Sequence, residues 1–200
     1  MTCKGSPRSS KHPRIIVELG SGDGRLLKKL LEMDKEDIKD SNGSVYIGIE
    51  NNASTFDKAK STLEGFSNVI LLNGSFEVLI HDFSDSSIDK IIAVLPDPKF
   101  IDIQNQHRWK KFYQVANNKL AVYGSIRIVT ELTDDLLQPV SVQAYNVWVQ
   151  QIIQTFQGLG FSLVRVQEGS PIEYESEYLE RFKEDPKRIR IATFDFRKKA

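Results

Sequence analysis

The 200-residue sequence contains a single cysteine, Cys3, which excludes an intramolecular disulfide and a multi-thiolate zinc site. Its three histidines, His12, His81 and His107, have no metal-ligand spacing, so no metal is expected. No apolar stretch approaches the roughly 20 residues of a membrane-spanning helix. The polar, basic start lacks a signal-peptide pattern. These absences predict a soluble cytoplasmic protein without a membrane partner.

The sequence also lacks net charge, because 27 basic residues are balanced by 27 acidic residues. The distribution is uneven: residues 1 to 14 include basic side chains and no acidic one, and residues 181 to 190 are also mainly basic. Such clusters are usually solvated faces and do not identify a partner by themselves. We predict a flexible basic segment at residues 1–13, followed by one domain at residues 14–200.

Short apolar runs alternate with stretches of helical spacing. The predicted strands are 14–19, 45–50, 68–73, 88–95, 125–130, 161–168 and 188–196, and the predicted helices are 24–33, 52–65, 105–120 and 142–158. This alternation is typical of a parallel sheet with helices on both faces. No convincing helix separates the last two strands, so residues 169–187 are expected to be a long loop. The predicted fold is Rossmann-like α/β, a seven-stranded, mostly parallel sheet with an antiparallel C-terminal hairpin.

The first strand runs into the glycine-rich turn "ELGSGDG" at residues 18–24. Its third glycine comes one residue earlier than in the dinucleotide fingerprint G-x-G-x-x-G. Glu18 would repel a pyrophosphate in this turn and would attract an ammonium group. Glu50 ends the second strand, where a carboxylate accepts hydrogen bonds from ribose hydroxyls. An amino-acid end joined to a ribose without phosphates describes S-adenosylmethionine.

The succession of strand, "ELGSGDG", helix and a second strand ending in glutamate resembles the class I S-adenosylmethionine-dependent methyltransferases. The resemblance covers most of the chain. Ser75 follows the third strand, where the family often has an acid for the adenine amino group, and Phe76 is expected to lie against the adenine ring. The cofactor-binding residues that it implies are Glu18, Gly20, Ser21, Gly22, Gly24, Glu50, Asn51, Ser75, Phe76 and Leu95.

The end of the fourth strand indicates the methyl acceptor. Pro96-Asp97-Pro98 holds one carboxylate between two prolines, which fix the backbone at small entropic cost. The basic, aromatic stretch "QHRWKKF" follows, the fifth strand ends Thr130-Glu131, and "SEYLER" occurs in the late loop. Together these features resemble the tRNA (guanine-N7)-methyltransferase family, with this chain as a divergent member: the family's Trp-Pro-Lys-Lys after Pro-Asp-Pro is replaced by residues 99–102.

The family resemblance implies roles for individual residues. Asp97 or Glu131 would accept hydrogen bonds from the guanine N1–H and amino group, and Phe100, Trp109 or Tyr178 would cover the unstacked base. Arg108, Lys110 and Lys111 would hold phosphates of the RNA partner, which is expected to be tRNA. The implied catalytic residues are Asp97, Thr130 and Glu131, and the implied substrate-binding residues are Lys99, Arg108, Lys110, Lys111, Ser176, Tyr178 and Arg181.

Three alternatives remain open at this level. "SGDGR" and "YIGIE" also match the aminoglycoside-resistance 16S rRNA adenine-N1 methyltransferases, which follow their fourth strand with Pro-Trp. A small-molecule or protein-lysine methyltransferase would use the same cofactor turn. A non-catalytic subunit with a methyltransferase fold would hold the cofactor, or nothing, without transferring a methyl group. The sequence predicts no oligomeric state.

Overall fold

A computed structural model describes residues 13–36, 43–134, 136, 138–174 and 176–199. Apart from Pro13, the predicted basic segment lies outside the described residues, together with Cys3 and His12.

The sheet has seven strands in the order β3-β2-β1-β4-β5-β7-β6. Strands β1 to β5 pair in parallel, whereas β7 runs antiparallel to both of its neighbours. The predicted mostly parallel sheet with an antiparallel C-terminal hairpin is therefore confirmed. The strands are β1 (Arg14–Leu19), β2 (Ser44–Glu50), β3 (Val69–Asn73), β4 (Ile88–Val94), β5 (Leu120–Thr133), β6 (Phe161–Glu168) and β7 (Ile189–Lys198).

Within the described residues, four long helices and two short ones connect these strands. They are α1 (Arg25–Glu36), α2 (Ala53–Thr62), α3 (Phe76–Leu79), α4 (Gln106–Lys119), α5 (Val142–Gly158) and α6 (Glu177–Lys183). The four long helices match the predictions. The expectation of no helix between β6 and β7 is wrong, because α6 lies there. Ser176 caps α6 by accepting a hydrogen bond from the Leu179 amide at 3.1 Å, and Leu179 is fully buried.

Helices pack on both faces of the sheet, as predicted. On one face, α4 and α5 contribute Trp109 and Phe156 to the largest apolar cluster, which also contains Ile128 of β5. Val129, the next residue of β5, belongs to the cluster on the opposite face with Leu26 of α1 and Leu179 of α6. Successive strand residues point to opposite faces, so one strand contributes to both cores.

The chain order reverses at β1, which lies between β2 and β4. In open α/β sheets, ligands bind in the crevice at such a switch point, beyond the carboxyl ends of the strands. In the described part of the chain, no helix is both long and apolar enough to cross a membrane.

Candidate functional site

A pocket of about 300 Å³ occupies the predicted crevice. Its lining comes from the glycine-rich turn after β1, the ends of β2 and β4, the starts of α1 and α2, and residues before and within α6. The lining residues are Glu18, Gly20, Ser21, Gly22, Asp23, Leu26, Glu50, Asn52, Thr55, Val94, Leu95, Tyr174, Ser176 and Tyr178. The structure thus brings together eight of the predicted site residues: Glu18, Gly20, Ser21, Gly22, Glu50, Leu95, Ser176 and Tyr178.

Glu18 contributes a buried carboxyl group to the lining of this pocket. Its side chain is 3% exposed, and its Oε2 atom has no hydrogen-bond partner among the described residues. Burial raises the pKa of Glu18 well above its usual value, and the nearby carboxylates of Asp23 and Glu50 raise it further. A buried acceptor without a partner is costly, and a cationic donor in the pocket would remove that cost.

The glycine turn gives a ligand access to the backbone. Gly20 and Gly22 have φ angles of +72° and +56°, a region that favours glycine, and a Cβ atom at either position would meet nothing within 4 Å. Both residues line the pocket. The backbone of the turn is held against β2, because the amides of Gly20 and Ser21 both donate hydrogen bonds to the Ile49 carbonyl at 2.9 Å.

Glu50 links the glycine turn to α2. Its Oε2 accepts a hydrogen bond from the Gly22 amide at 2.9 Å, and its Oε1 accepts one from the Asn52 amide at 2.7 Å. Each carboxylate oxygen can accept a further hydrogen bond, so these contacts leave capacity for two ribose hydroxyls. Glu50 is 8% exposed and lines the pocket, which places this capacity where a ligand can use it.

These observations fit S-adenosylmethionine. The unpartnered Glu18 carboxylate suits its ammonium group, the open glycine turn suits its amino-acid portion, and Glu50 suits its ribose. The individual contacts remain predictions.

Gly24, the third glycine of the turn, faces away from the pocket. A Cβ atom there would lie 2.9 Å from Leu63 Cδ1, so Gly24 allows the turn to approach α2 closely. Gly48 of β2 has a similar role under the turn: its Cβ atom would lie 2.7 to 2.8 Å from Leu27, Leu71 and the Ser21 hydroxyl. Gly48 belongs to the quoted "YIGIE" motif, but the motif alone did not indicate this packing role.

Gly48→Ala is expected to destabilise the protein by about 1–3 kcal/mol, because the added methyl group overpacks three contacts at once. Chemical denaturation measures this change in the free energy of unfolding. Gly158→Ala is the matched control, since a Cβ atom at this helical position meets nothing within 4 Å. Alanine there should stabilise the protein by about 0.5–1 kcal/mol. An unchanged stability in Gly48→Ala would contradict the close packing under the turn.

The predicted adenine contacts lie outside the pocket lining. Ser75 caps α3 by accepting a hydrogen bond from the Glu77 amide at 3.3 Å, and Phe76 packs against Phe100 with ring centres 4.5 Å apart. Asn51 is exposed at the end of β2. Asn51, predicted as a cofactor-binding residue, and the two predicted adenine contacts lie just beyond the carboxyl ends of β2 and β3.

The end of β4 forms the opposite rim of the site. Leu95 lines the pocket with a φ of +48°, a strained conformation for leucine, and its amide donates to the Val129 carbonyl at 2.7 Å. Asp97 follows in an exposed position and accepts a hydrogen bond from the Lys99 amide at 3.0 Å, which caps a 3₁₀ turn. Asp97 therefore lies two residues beyond the pocket wall and does not line the pocket.

Thr130 and Glu131 do not end β5 as predicted, because the strand continues to Thr133, and both are also outside the pocket lining. Thr130 is fully buried, and neither its hydroxyl nor Glu131 Oε2 has a hydrogen-bond partner in the described structure. Burial raises the pKa of Glu131 to about 7, with a smaller opposing effect from its own backbone amide.

Two of the three aromatic side chains expected to cover a base belong to the core. Trp109 is fully buried and donates from its indole nitrogen to the Asp102 carbonyl at 2.7 Å. Phe100 is 5% exposed and packs against Phe112. The stacking predictions for Trp109 and Phe100 are therefore wrong. Tyr178, which is 65% exposed and lines the pocket, retains this predicted role.

The predicted phosphate-binding residues, and the predicted substrate-binding residues Lys99 and Arg181, do not line the pocket. Arg108 and Lys111 are exposed in the first two turns of α4, and Lys110 is half-buried beside them. Lys99 is exposed, with its ammonium group 4.9 Å from the Phe100 ring centre. Arg181 is exposed on α6. All follow β4 or β6, so they are connected to the carboxyl ends of these strands.

Six lining residues were missed by the sequence analysis: Asp23, Leu26, Asn52, Thr55, Val94 and Tyr174. Asp23 lies inside the quoted turn, and Asn52 caps α2 by accepting from the Thr55 amide at 3.0 Å. Asparagine is a preferred N-cap residue, so its position two residues after Glu50, before a helical pattern, could have indicated Asn52. Tyr174 had no local signal. Within the described residues, no cluster of His, Cys, Asp or Glu is arranged to hold a metal ion.

Comparisons with solved structures agree with this fold. The 16S rRNA methyltransferase KamB has a TM-score of 0.69 and 12% identity, with 95% of this chain and 90% of that chain covered. A 30S ribosomal methyltransferase from an uncultured bacterium has a TM-score of 0.63 and 19% identity, over 94% and 89%. An S-adenosylmethionine-dependent methyltransferase from Mesorhizobium loti has a TM-score of 0.62 and 14% identity, over 96% and 94%. At such identities the likeness shows the fold alone.

The sequence comparisons add the family. A search of curated proteins found no match. A family model, Methyltransf_4, describes a methyltransferase and matches residues 12–168, which is more than half of the chain. The chain therefore belongs to the Methyltransf_4 family, that of the tRNA guanine-N7 methyltransferases, and is a class I methyltransferase dependent on S-adenosylmethionine.

Proposed function

We propose that this methyltransferase modifies RNA, and that its substrate is guanine N7 in tRNA. The observation that carries the proposal is the family match combined with Pro96-Asp97-Pro98 directly after the pocket-lining Leu95. Asp97 is exposed beside the pocket, where a carboxylate could meet a base entering from solvent.

The proposed methyl transfer requires the protein mainly to align the base with the cofactor. The cofactor supplies an electrophilic methyl group on a sulfonium, and guanine N7 carries a lone pair and no proton. No general base has to act at N7, so alignment of the base accounts for most of the rate acceleration. Asp97 would orient the base through its N1–H and amino group. The same carboxylate would stabilise the positive charge that develops on the purine.

The surroundings of the pocket support an RNA substrate. Arg108 and Lys111 are exposed on α4, which follows the Asp97 turn, and would contact phosphates without reading the sequence. Tyr178 is the exposed aromatic residue of the pocket lining. Its ring would stack on an unstacked base, a contact worth about 1–3 kcal/mol. This arrangement suits a base extruded from a folded RNA.

A second candidate is methylation of adenine N1 in 16S rRNA. Two ribosomal RNA methyltransferases share the fold over most of the chain, and "SGDGR" and "YIGIE" match that type of enzyme. The Pro-Asp-Pro sequence after β4 favours the tRNA substrate, because the adenine-N1 enzymes follow their fourth strand with Pro-Trp.

Nucleoside mass spectrometry distinguishes the two candidates. The purified protein is incubated with S-adenosylmethionine and either unmodified tRNA or 30S ribosomal subunits. We expect 7-methylguanosine in the tRNA and no new nucleoside in the ribosomal RNA. Formation of 1-methyladenosine in the 30S subunit would support the second candidate. Cofactor binding without transfer to either RNA would contradict both and favour a non-catalytic subunit.

A further inference from the structure

Arg127 of β5 and Asp195 of β7 form a bidentate ion pair beside the cofactor pocket. The two residues are direct partners in the antiparallel register. Arg127 Nε lies 2.6 Å from Asp195 Oδ1, and Arg127 Nη2 lies 3.0 Å from Asp195 Oδ2. Both side chains are 20% exposed, so the pair is largely shielded from water. A bidentate guanidinium–carboxylate pair fixes the plane of the guanidinium group as well as its position.

The remaining terminal nitrogen of Arg127 faces Tyr174. Nη1 donates a hydrogen bond to the Tyr174 hydroxyl at 3.4 Å, and the guanidinium carbon lies 5.6 Å from the Tyr174 ring centre. Glu173 Oε1 lies 3.9 Å from the same nitrogen. Tyr174 is 1% exposed, so its hydroxyl depends on a protein partner.

Tyr174 also borders the cofactor pocket. It packs in the apolar cluster that contains Leu26 and Leu95, and all three residues line the pocket with Glu18. Burial raises the pKa of Tyr174 to about 12, the Arg127 charge opposes this, and the Glu18 charge adds to it. One side chain thus contacts Arg127 on one side and closes the pocket near Glu18 on the other.

The loop that carries Tyr174 is tied to the sheet at its start. The Gly169 amide donates to the Ile191 carbonyl at 2.8 Å, and Thr193 Oγ1 donates to the Gly169 carbonyl at 2.7 Å. Further along, the Tyr174 amide donates to the Pro171 carbonyl at 3.1 Å within the loop. Arg127 supplies the polar contact that connects the Tyr174 side chain to the sheet.

We propose that Arg127 is a positioning residue for cofactor binding, which acts through Tyr174 without touching the cofactor. Asp195 orients Arg127, Arg127 fixes the Tyr174 hydroxyl, and the Tyr174 ring sets the width of the pocket beside Glu18. This inference rests on the pocket being the cofactor site, and it is independent of which RNA is methylated.

The test is a double-mutant cycle on cofactor affinity, measured by calorimetric titration with S-adenosylhomocysteine. Tyr174→Phe removes the hydroxyl and keeps the ring, whereas Arg127→Met removes the guanidinium. Each variant is expected to raise Kd about 5-fold. The double variant should show the same 5-fold increase, because either change alone already breaks the connection. Arg165→Met is the control, since Arg165 lines the neighbouring cavity with Arg127 and should leave Kd unchanged.

Two results would overturn the proposal that Arg127 acts through Tyr174: an unchanged Kd in Tyr174→Phe, or single-variant effects that multiply to about 25-fold in the double variant. A purely structural role for Arg127 would give the multiplied value. Should Arg127→Met fail to fold, Arg127→Lys replaces it in the cycle, because lysine keeps the positive charge and cannot form the bidentate hydrogen bonds of a guanidinium group. Failure of the wild-type protein to bind the cofactor would contradict the pocket assignment, which is a separate outcome.

Discussion

Glu18→Gln is expected to weaken S-adenosylmethionine binding about 100-fold, because the variant removes the buried charge that would pair with the cofactor's ammonium group. The same substitution should stabilise the cofactor-free protein. Burial holds the pKa of Glu18 well above its usual value, so ionising this carboxyl opposes folding. In the wild-type protein, stability is lost as the pH rises from the usual glutamate pKa through the folded-state pKa of Glu18.

Calorimetric titration and thermal unfolding between pH 4 and pH 8 measure both effects. The variant should melt at a higher temperature than the wild type at pH 8, and the difference should shrink towards pH 4. Cofactor affinity of the wild type should fall as the pH drops through the Glu18 pKa, and affinity of the variant should lack that component. Glu64→Gln, an exposed glutamate, should change neither property. Equal affinities for wild type and Glu18→Gln would refute the assigned role.

Asp97→Ala is expected to reduce the methyl-transfer rate about 100-fold, the usual effect of losing one transition-state contact. Cofactor affinity should remain unchanged, since Asp97 is not part of the pocket lining. Single-turnover measurement of labelled methyl transfer to tRNA reports the rate, and calorimetry reports the affinity. Asp97→Asn keeps a hydrogen-bond acceptor without the charge and should fall between the wild type and the alanine variant.

The control for Asp97→Ala has to separate orientation of the base from capping of the turn. Asp102 has the same local role, because its side chain accepts a hydrogen bond from the Gln104 amide at 2.8 Å and caps the next 3₁₀ turn. Asp102→Ala should leave the transfer rate close to that of the wild type. If both alanine variants lose activity equally, turn stability explains the effect. A rate within about 3-fold of the wild type in Asp97→Ala would remove Asp97 from the mechanism.

The alternation of strands and helices could be predicted because each element carries its own periodicity. The strand β5 is longer at both ends than the predicted 125–130, which missed residues 131–133 and the irregular segment 120–124. Tyr123 in this segment has a φ of +66°, and a Cβ on Gly124 would lie 2.9 Å from the Ala121 carbonyl. The helix α6 was missed because it has only seven residues, which an N-cap and one buried leucine stabilise.

The residues of the candidate site also differ in whether a local sequence pattern indicates them. Two short motifs contain the residues predicted to bind the cofactor: "ELGSGDG" contains Glu18, Gly20 and Gly22, and "YIGIE" ends in Glu50. Their roles could therefore be predicted from local sequence. Trp109 shares a helical spacing with Phe112 and Tyr113, which indicates a core-facing stripe and outweighs its interpretation as a base-stacking residue. Tyr174 and its contact with Arg127 could not be found locally, because the fold brings the loop between β6 and α6 against a β5 residue that is distant in sequence.

The central claim is that two acidic side chains flanking an open glycine turn bind a cationic nucleoside without phosphates. Calorimetric titration of the wild-type protein with S-adenosylmethionine, S-adenosylhomocysteine and a nicotinamide dinucleotide tests it directly. The account predicts binding of both adenosyl ligands at one site per chain and no heat from the dinucleotide. Binding of the dinucleotide with no uptake of either adenosyl ligand would contradict it.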